Sequence, residues 1–226
     1  MVHLGVMKIG VFDSGIGGQA VANRLSDLLP EADIISINDH QHVPYGTRTA
    51  KDIISLTTAA IQPLIRADCD AIVIACNTAT TVAITHLRST YPDTNFVGIE
   101  PMVKPAAELT RTKTIAILAT PATLASEQYA LLKNTWAQNI AVIEPDCASW
   151  AALIEAGTSD LVPIEETISD VIANGADVIV LACTHYHWLK DRAEEATRSR
   201  ATVLEPSDAI SNRILTLLSN DRNVII

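Results

Sequence analysis

Two cysteines share one sequence context, and that context suits acid–base chemistry at a carbon atom. Cys76 ends the run Asp70-Ala-Ile-Val-Ile-Ala, and Cys183, 107 residues later, ends the run Asp177-Val-Ile-Val-Leu-Ala. Inverting a stereocentre needs a base on one face and an acid on the other, and a thiol with a reference pKa of about 8.5 can be either. A helix that begins after each cysteine would lower the thiol pKa. The pair therefore predicts two-base proton transfer, although a disulfide or a metal site would use the same sulfur atoms.

Further polar clusters follow apolar, strand-like runs along the chain. Parallel α/β sheets bind ligands beyond the carboxyl ends of their strands, so clusters at these positions are expected to converge on one site. The clusters are Asp13-Ser14-Gly15-Ile16-Gly17-Gly18, Pro44-Tyr45-Gly46, Cys76-Asn77-Thr78 and Cys183-Thr184-His185-Tyr186.

The glycine-rich cluster has two alternative interpretations. Gly15-x-Gly17-x-x-Ala20 formally matches a dinucleotide fingerprint, with Asp33 or Asp39 as its acidic residue, and would predict a nucleotide-dependent oxidoreductase. Against this, Asp13-Ser14 separates the strand from the first glycine. We therefore interpret the glycines as letting the backbone approach a ligand closely.

Some chemically capable residues are assigned structural roles, or have a structural alternative. Cys69 and Cys147 lack the strand-end context and are expected to be buried structural thiols. Asp13 could be only a helix N-cap, and a lone histidine such as His185 is more often structural than catalytic. No zinc site is expected, because His40-x-His42 and His185-x-His187 do not have finger-like ligand spacing.

Short apolar runs that alternate with helical patterns predict a parallel α/β fold. Val21, Leu25, Leu28 and Leu29 mark one helix face, and Ile210, Ile214, Leu217 and Leu218 mark another near the end of the chain. The repeated cysteine strands predict two related, pseudo-symmetric α/β domains. The first is assigned to residues 1–99 with 206–226 returning to it, and the second to residues 100–205. The predicted strands are Lys8–Phe12, Asp33–Ile37, Ala71–Ala75, Asn95–Gly98, Thr114–Leu118, Ile140–Ile143, Val178–Ala182 and Thr202–Leu204.

The bulk composition excludes several classes of partner. A net charge of −10 repels phosphate backbones and anionic membrane surfaces, so nucleic-acid and lipid binding are not expected. No apolar run approaches the roughly 20 residues of a membrane span, and the first residues lack a signal-peptide pattern. Four scattered cysteines do not form a disulfide scaffold. We therefore expect a cytoplasmic protein; a homodimer is compatible with the sequence but not fixed by it.

Five motifs in order resemble those of bacterial glutamate racemases. They are Phe12-Asp-Ser-Gly-Ile-Gly-Gly18, Pro44-Tyr-Gly46, Ala75-Cys-Asn-Thr78, Gly98-Ile-Glu-Pro101 and Cys183-Thr-His-Tyr186, and Leu153-Ile-Glu155-Ala-Gly157 is similar to a segment of the family's second domain. The resemblance implies two parallel-sheet α/β domains with the active site in the cleft between them, and a racemase that needs no PLP, no metal and no nucleotide. It also implies supply of D-glutamate for bacterial peptidoglycan, and hence for cell-wall growth and cell shape.

The resemblance also implies a role for each matching residue. Cys76 would take the Cα proton of the D-enantiomer and Cys183 that of the L-enantiomer. Asp13 would assist Cys76, while Glu155 and His185 would assist Cys183. The α-amino and α-carboxylate groups would be held by Ser14, Asn77, Thr78 and Thr184. Asp13 and His185 would also contact the substrate. The side-chain carboxylate would be received by Tyr45 and Gly46, next to Pro44.

The chain departs from the family pattern beside the second cysteine. Ala182 stands where a Gly is frequent, His187-Trp188 where Pro-Leu is typical, and Gln19 where a Leu is common; Glu205-Pro-Ser replaces an Asp-containing stretch. These changes leave substrate choice open. The alternatives are a racemase for aspartate or another amino acid and, from a different class, a non-catalytic binding protein for a small acid.

Overall fold

The computed structural model of the chain describes residues 6–206. Within them, eight strands form two four-stranded sheets in which every pairing is parallel. All eight predicted strands are confirmed, with ends that differ by at most one residue. They are β1 (Lys8–Asp13), β2 (Asp33–Asn38), β3 (Ala71–Ile74), β4 (Phe96–Gly98), β5 (Thr114–Leu118), β6 (Ala141–Ile143), β7 (Val178–Leu181) and β8 (Thr202–Leu204).

The two sheets have the same strand order, which confirms the predicted pseudo-symmetry. The orders are β2-β1-β3-β4 and β6-β5-β7-β8. In each, the direction of chain progression reverses between the first and third strands, here β1 and β3 or β5 and β7. Such a switch point opens a crevice at the carboxyl ends of the strands. Cys76 follows β3 and Cys183 follows β7, so the topology places each cysteine at a switch point.

Helices connect the strands and cover both faces of each sheet. Helix α1 buries Val21 and Leu25, as the apolar spacing predicts. In the described part of the chain, no helix is long and apolar enough to cross a membrane. The helices are α1 (Gly18–Leu28), α2 (Ala50–Ala60), α3 (Gln62–Arg66), α4 (Asn77–Thr90), α5 (Val103–Leu109), α6 (Pro121–Leu124), α7 (Glu127–Trp136), α8 (Trp150–Glu155), α9 (Ile164–Ala173) and α10 (Lys190–Thr197), with 3-10 segments at Tyr45–Thr47, Ser159–Leu161 and Thr184–Leu189.

The pleat of the central strands determines which way each cysteine points. Side chains alternate between the two faces of a sheet, so Ile72 and Ile74 pack in the same core cluster as Cys76. Ile179 and Leu181 likewise share a core cluster with Cys183. Both cysteines therefore continue the apolar face of a fully buried strand and end up buried themselves.

The acidic residue that opens each cysteine strand is structural. Asp70 accepts a hydrogen bond from the Lys8 backbone N–H (2.9 Å), at the end of the sheet opposite Cys76. Asp177 accepts from the backbone N–H groups of Arg111 (2.8 Å) and Thr112 (3.1 Å) in the same way. The repeated sequence thus combines a cap at one end of the strand with a thiol at the other.

The sheets divide near the predicted domain boundary. The first sheet uses strands between residues 8 and 98, and the second uses strands between residues 114 and 204. The assignment of residues 1–99 and 100–205 to separate domains stays a prediction. The predicted helix marked by Ile210, Ile214, Leu217 and Leu218, and almost all of the predicted return of residues 206–226, lie outside the described residues.

Candidate active site

Cys76 is the N-cap residue of α4. The polar partners of its thiol lie in the first half of the molecule, the part that contains the first sheet; the part that contains the second sheet is the second half. Cys76 Sγ accepts from the Ala79 backbone N–H (3.4 Å) and lies 3.3 Å from Ser14 Oγ. Burial raises the pKa of Cys76 to about 12, and the nearby Asp13 also raises it, while the Ser14 and Ala79 bonds lower it. The expectation that the helix N-terminus would lower this pKa overall is wrong, because the loss of hydration outweighs the single N–H contact. Cys76 is therefore held as a neutral thiol.

Asp13, the last residue of β1, is fully buried and bonded to both halves of the molecule. Its carboxylate accepts from the Gly15 backbone N–H (3.0 Å) and from the Thr184 hydroxyl (3.1 Å). Burial raises the pKa of Asp13, and the proximity of His185 and the amides of Gly15 and Gly18 lower it less. The N-cap residue of α1 is Gly17, so Asp13 is not that helix's N-cap.

Cys183 has an imidazole beside it where Cys76 has a hydroxyl. Its Sγ lies 3.7 Å from His185 Nδ1, and His185 Nε2 lies 2.5 Å from a carboxylate oxygen of Glu155. Burial lowers the pKa of His185, but the bonds to Cys183 and Glu155 more than offset it, so this pKa is well above its ordinary value. An imidazolium therefore faces the Cys183 sulfur. Cys183 leads into a 3-10 segment, whereas the sequence suggested that a regular helix begins there.

Glu155, at the end of α8, also binds the opposite half. Its Oε1 accepts from the Ile16 backbone N–H (2.8 Å) in the glycine-rich turn of the first half. Burial raises the pKa of Glu155, but the bonds from His185 and the Ile16 amide lower it further than burial raises it. Glu155 thus stays ionised, orients His185 and joins the two halves.

The glycines of this turn allow a close approach of protein to protein. A Cβ at position 15 would lie 1.8 Å from the Glu155 carboxylate oxygen, and one at position 17 would lie 2.5 Å from the Thr184 hydroxyl. The expectation that these glycines admit a ligand is therefore incomplete. Gly15 and Gly17 leave room for Glu155 and Thr184 of the second half.

The Pro44-Tyr45-Gly46 segment forms a one-turn 3-10 helix at the same edge of the first sheet. Pro44 is its N-cap residue, and Tyr45 and Gly46 are buried. The Tyr45 hydroxyl donates to Asp39 (2.7 Å), so its proton is already engaged within the protein. A Cβ at position 46 would lie 2.7 Å from the Thr120 side chain, which places this segment against the second half.

Asn77 and Thr78 open α4 beside Cys76. Asn77 Nδ2 donates weakly to the Ile99 carbonyl (3.4 Å), and its buried Oδ1 has no hydrogen-bond partner. Thr78 Oγ1 lies 2.9 Å from the hydroxyl of Thr120 and 3.2 Å from that of Thr123, both in the second half. An unpaired buried acceptor is costly to a protein, so Asn77 Oδ1 is suited to a donor on a bound molecule.

Sequence reasoning missed Thr120 and Thr123. Thr120 follows β5 in the position that Ser14 occupies after β1, because Ile9 and Ile115 hold equivalent places in the two sheets. The register of the repeat was therefore the signal that could have found Thr120. No sequence feature around Thr123 indicates a role. Its hydroxyl reaches those of Thr78 and Thr120 because it lies in the first turn of α6.

The structure thus brings the predicted residues of both halves together. Cys76 contacts Ser14, and the residue before Ser14, Asp13, contacts Thr184, which is adjacent to Cys183. The charge of Cys183 is among the influences on the pKa of Cys76, as expected of neighbouring groups. No group of three or more His, Cys, Asp or Glu side chains in residues 6–206 is arranged to hold a metal ion.

In the described part of the chain, the other two cysteines and the residues that follow Tyr186 make no hydrogen bond with the thiol of Cys76 or Cys183. Cys147 is buried and Cys69 half-buried; burial raises the pKa of Cys147 to about 12. His187 Nδ1 lies 3.7 Å from a Glu205 carboxylate oxygen, and the adjacent Trp188 is exposed. The departures from the family pattern at positions 187 and 205 therefore place an imidazole and a carboxylate side by side.

Comparison with known proteins gives consistent matches. The profile of a family described as Asp/Glu/Hydantoin racemase matches residues 18–213. A glutamate racemase of Sulfurovum sp. (strain NBC37-1) is 39% identical over 221 residues, covering 93% of this chain and 82% of that protein. The Escherichia coli glutamate racemase in complex with L-glutamate and the activator UDP-MurNAc-ala superposes with a TM-score of 0.83 at 27% identity, covering 95% of this chain and 83% of that one. The Francisella tularensis glutamate racemase in complex with D-glutamate gives 0.81 at 28% identity, covering 96% and 82%.

Proposed function

The chain belongs to the Asp/Glu/Hydantoin racemase family, and we propose that it interconverts L- and D-glutamate by proton transfer at Cα between Cys76 and Cys183. One observation carries this proposal. Two buried thiols end equivalent strands of two like sheets, and the path from Cys76 through Ser14, Asp13 and Thr184 to Cys183 needs only two hydrogen bonds. Glutamate is proposed as the substrate because the similar proteins are glutamate racemases.

The two sulfur environments suit opposite roles in the conversion of L-glutamate. Cys183, facing the imidazolium of His185, would act as thiolate and take the Cα proton to become a thiol. Cys76, whose raised pKa keeps it protonated, would give its proton to the other face of the carbanion and become a thiolate. The reverse reaction exchanges these roles, with Asp13 as the acidic group nearest Cys76.

Carbanion formation without an electron-accepting cofactor depends on a dry, pre-oriented site. Both thiols, Asp13 and His185 are buried, which removes competing water. The unpaired Oδ1 of Asn77 would accept from the substrate ammonium, and the hydroxyls of Ser14 and Thr78 would hold the α-carboxylate. The Thr184 hydroxyl, whose proton is donated to Asp13, would accept from the ammonium as well. We propose that the enzyme needs no PLP, metal or nucleotide.

The side-chain carboxylate of glutamate would be received by backbone groups at Tyr45 and Gly46. The Tyr45 hydroxyl proton is committed to Asp39, so it is not free for the substrate. The first N–H groups of a helical turn have no partner within that turn, and such groups suit an anion. Binding there would favour a five-carbon amino acid over a four-carbon one.

Exchange of the Cα hydrogen in D₂O tests the proposed function. L- and D-glutamate should each gain deuterium at Cα and lose optical rotation, and dialysis against a chelator should not change the rate. Binding without exchange would identify a non-catalytic acid-binding protein, and faster exchange with aspartate would identify a different amino-acid racemase. NAD binding in a fluorescence titration would favour an oxidoreductase.

The biological setting is proposed from the same family membership. A glutamate racemase supplies D-glutamate for peptidoglycan, and we propose this role in the bacterial cytoplasm. Rescue of a D-glutamate auxotroph by this chain would support the role, and continued dependence on added D-glutamate would contradict it. Light scattering after size-exclusion chromatography would test for a homodimer.

A further inference from the structure

Asp39 connects β1, the strand that ends in Asp13, to the Pro44–Gly46 segment. It directly follows β2, and its backbone N–H donates to the Asp13 carbonyl (3.1 Å). Its carboxylate, whose side chain is 12% exposed, accepts from the Tyr45 hydroxyl (2.7 Å) and from His42 Nδ1 (2.8 Å). A mostly buried carboxylate is costly unless it is well bonded, and Asp39 meets that condition through two side chains of one loop.

The bonds around Asp39 fix the position of Tyr45. The Tyr45 ring is buried and packs against Phe12, with 6.4 Å between the ring centroids. Arg48 closes the loop, since its Nε donates to the His42 carbonyl (2.7 Å) and its N–H to the Tyr45 carbonyl (3.0 Å). The Tyr45 backbone is therefore held by the ring on one side and by the hydroxyl bond to Asp39 on the other.

We propose that Asp39 is a positioning residue that sets where the backbone of Tyr45 and Gly46 meets the substrate side chain, and so which side-chain length is accepted. The proposal rests on the proposed function, because it concerns the side-chain carboxylate of glutamate. Asp39 does not transfer a proton; it acts through Tyr45. Gly46 lies so close to Thr120 that a small shift of the loop changes the distance between the two halves.

Removing the Asp39 carboxylate should therefore weaken substrate binding more than it slows proton transfer. Asp39→Ala leaves the buried Tyr45 hydroxyl without its acceptor, while Cys76 and Cys183 keep their own partners. We expect KM for L-glutamate to rise about tenfold, the effect of losing one hydrogen bond to a charged group, with kcat within about threefold of wild type. Selectivity for L-glutamate over L-aspartate and L-2-aminoadipate should fall.

Four further variants make the test specific. Tyr45→Phe removes the other partner of the bond and should raise KM similarly. The KM of the double variant Asp39→Ala/Tyr45→Phe should be no higher than that of the single variant with the higher KM. Asp39→Asn keeps one acceptor oxygen for Tyr45 and should recover most of the loss. Asp33→Asn, an exposed acid at the opposite end of β2, should match wild type. Thermal unfolding of each variant shows that the comparison is made on folded protein.

The outcomes separate this proposal from the proposed function. If wild type does not racemise glutamate, the proposed function fails, and this inference fails with it. If wild type is active, KM values of Asp39→Ala and Tyr45→Phe within about twofold of wild type would overturn the inference alone. Additive effects in the double variant, or a loss confined to kcat, would overturn it too. Should Asp39→Ala not fold, Tyr45→Phe and Asp39→Asn decide the question.

Discussion

The two cysteines lie at equivalent ends of β3 and β7, but the polar groups around them come from different places. Cys76 receives a hydroxyl and a nearby carboxyl from the end of β1, whereas Cys183 receives an imidazole two residues further along the chain and a carboxylate from α8. The equivalent of Asp13 after β5 is Ala119, which can neither bind nor move a proton. The repeated fold therefore places the two sulfurs, and the differences between the halves supply the proton-handling groups.

This comparison predicts that the two thiols are equally necessary. Cys76→Ala and Cys183→Ala should each lower racemisation by at least about 10³-fold in both directions, because each direction needs an acid and a base. The measurement is optical rotation from each enantiomer. Near-normal turnover by either variant would remove the two-base mechanism.

The groups that assist each thiol should affect one direction of the reaction more than the other. Asp13→Asn keeps an acceptor for Gly15 and Thr184 but cannot ionise, and we expect about a 10²-fold loss that is larger from D-glutamate than from L-glutamate. Initial Cα exchange rates in D₂O, measured from each enantiomer, would show the asymmetry. Equal losses in both directions would contradict the assignment of Asp13 to Cys76.

Asp13→Asn should also change stability in a pH-dependent way. Burial raises the pKa of Asp13 in the folded protein, so its contribution to stability is full below its unfolded pKa and is lost as pH rises through the folded value. The neutral amide avoids that loss. The melting temperature of the variant should therefore exceed that of wild type at pH 8, and an unchanged or lower value would argue against the raised pKa.

Glu155 gives the matching test on the Cys183 side. Its carboxylate helps hold the His185 pKa above its ordinary value, so activity from L-glutamate should decline as pH rises through that pKa and the imidazolium loses its proton. Glu155→Gln should move this decline to lower pH and reduce the rate by about tenfold or more, the effect of losing a charged hydrogen bond. A pH profile identical to that of wild type would show that Glu155 does not act through His185.

A third buried thiol sharpens the comparison and should have the smallest effect on activity. Cys147 lies in the same core cluster as Cys183, but the groups that bond its thiol are the Ala119 backbone and the Tyr186 hydroxyl, whereas Cys183 faces the His185 imidazole. Cys147→Ala should cost about 1–2 kcal/mol of unfolding free energy, as for the loss of a small buried side chain, and leave kcat within about twofold. A large loss of kcat would mean that three thiols take part.

The parts of the site that follow from strand geometry were predictable. A buried run that ends in a polar residue locates both the strand and its carboxyl end, so Asp13, Cys76 and Cys183 could be placed from the sequence. Glu155 was found only through the resemblance, since nothing local indicates that it reaches Ile16. Its bond joins residues 139 apart in the chain.

What the sequence did not reveal depends on tertiary burial. The pKa of Cys76 was predicted in the wrong direction, because a helix N-terminus is visible in a sequence whereas the depth of burial is not. Asp39 was noted only as an acidic residue for a nucleotide fingerprint. Its bonds to Tyr45 and His42 become evident only once the loop is folded.

The bonds that cross between the halves have a consequence for the timing of the reaction. Asp13 is tied to Thr184 and Glu155 to Ile16, so a molecule that separates its sheets to exchange product for substrate also detaches each acidic group from its setting. In such an open state solvent would reach the sulfurs, and the acidic groups that set their pKa values would no longer be held in place. The thiols would then become reactive only when the two halves close around an amino acid. Water would be excluded at that moment and could not protonate the carbanion.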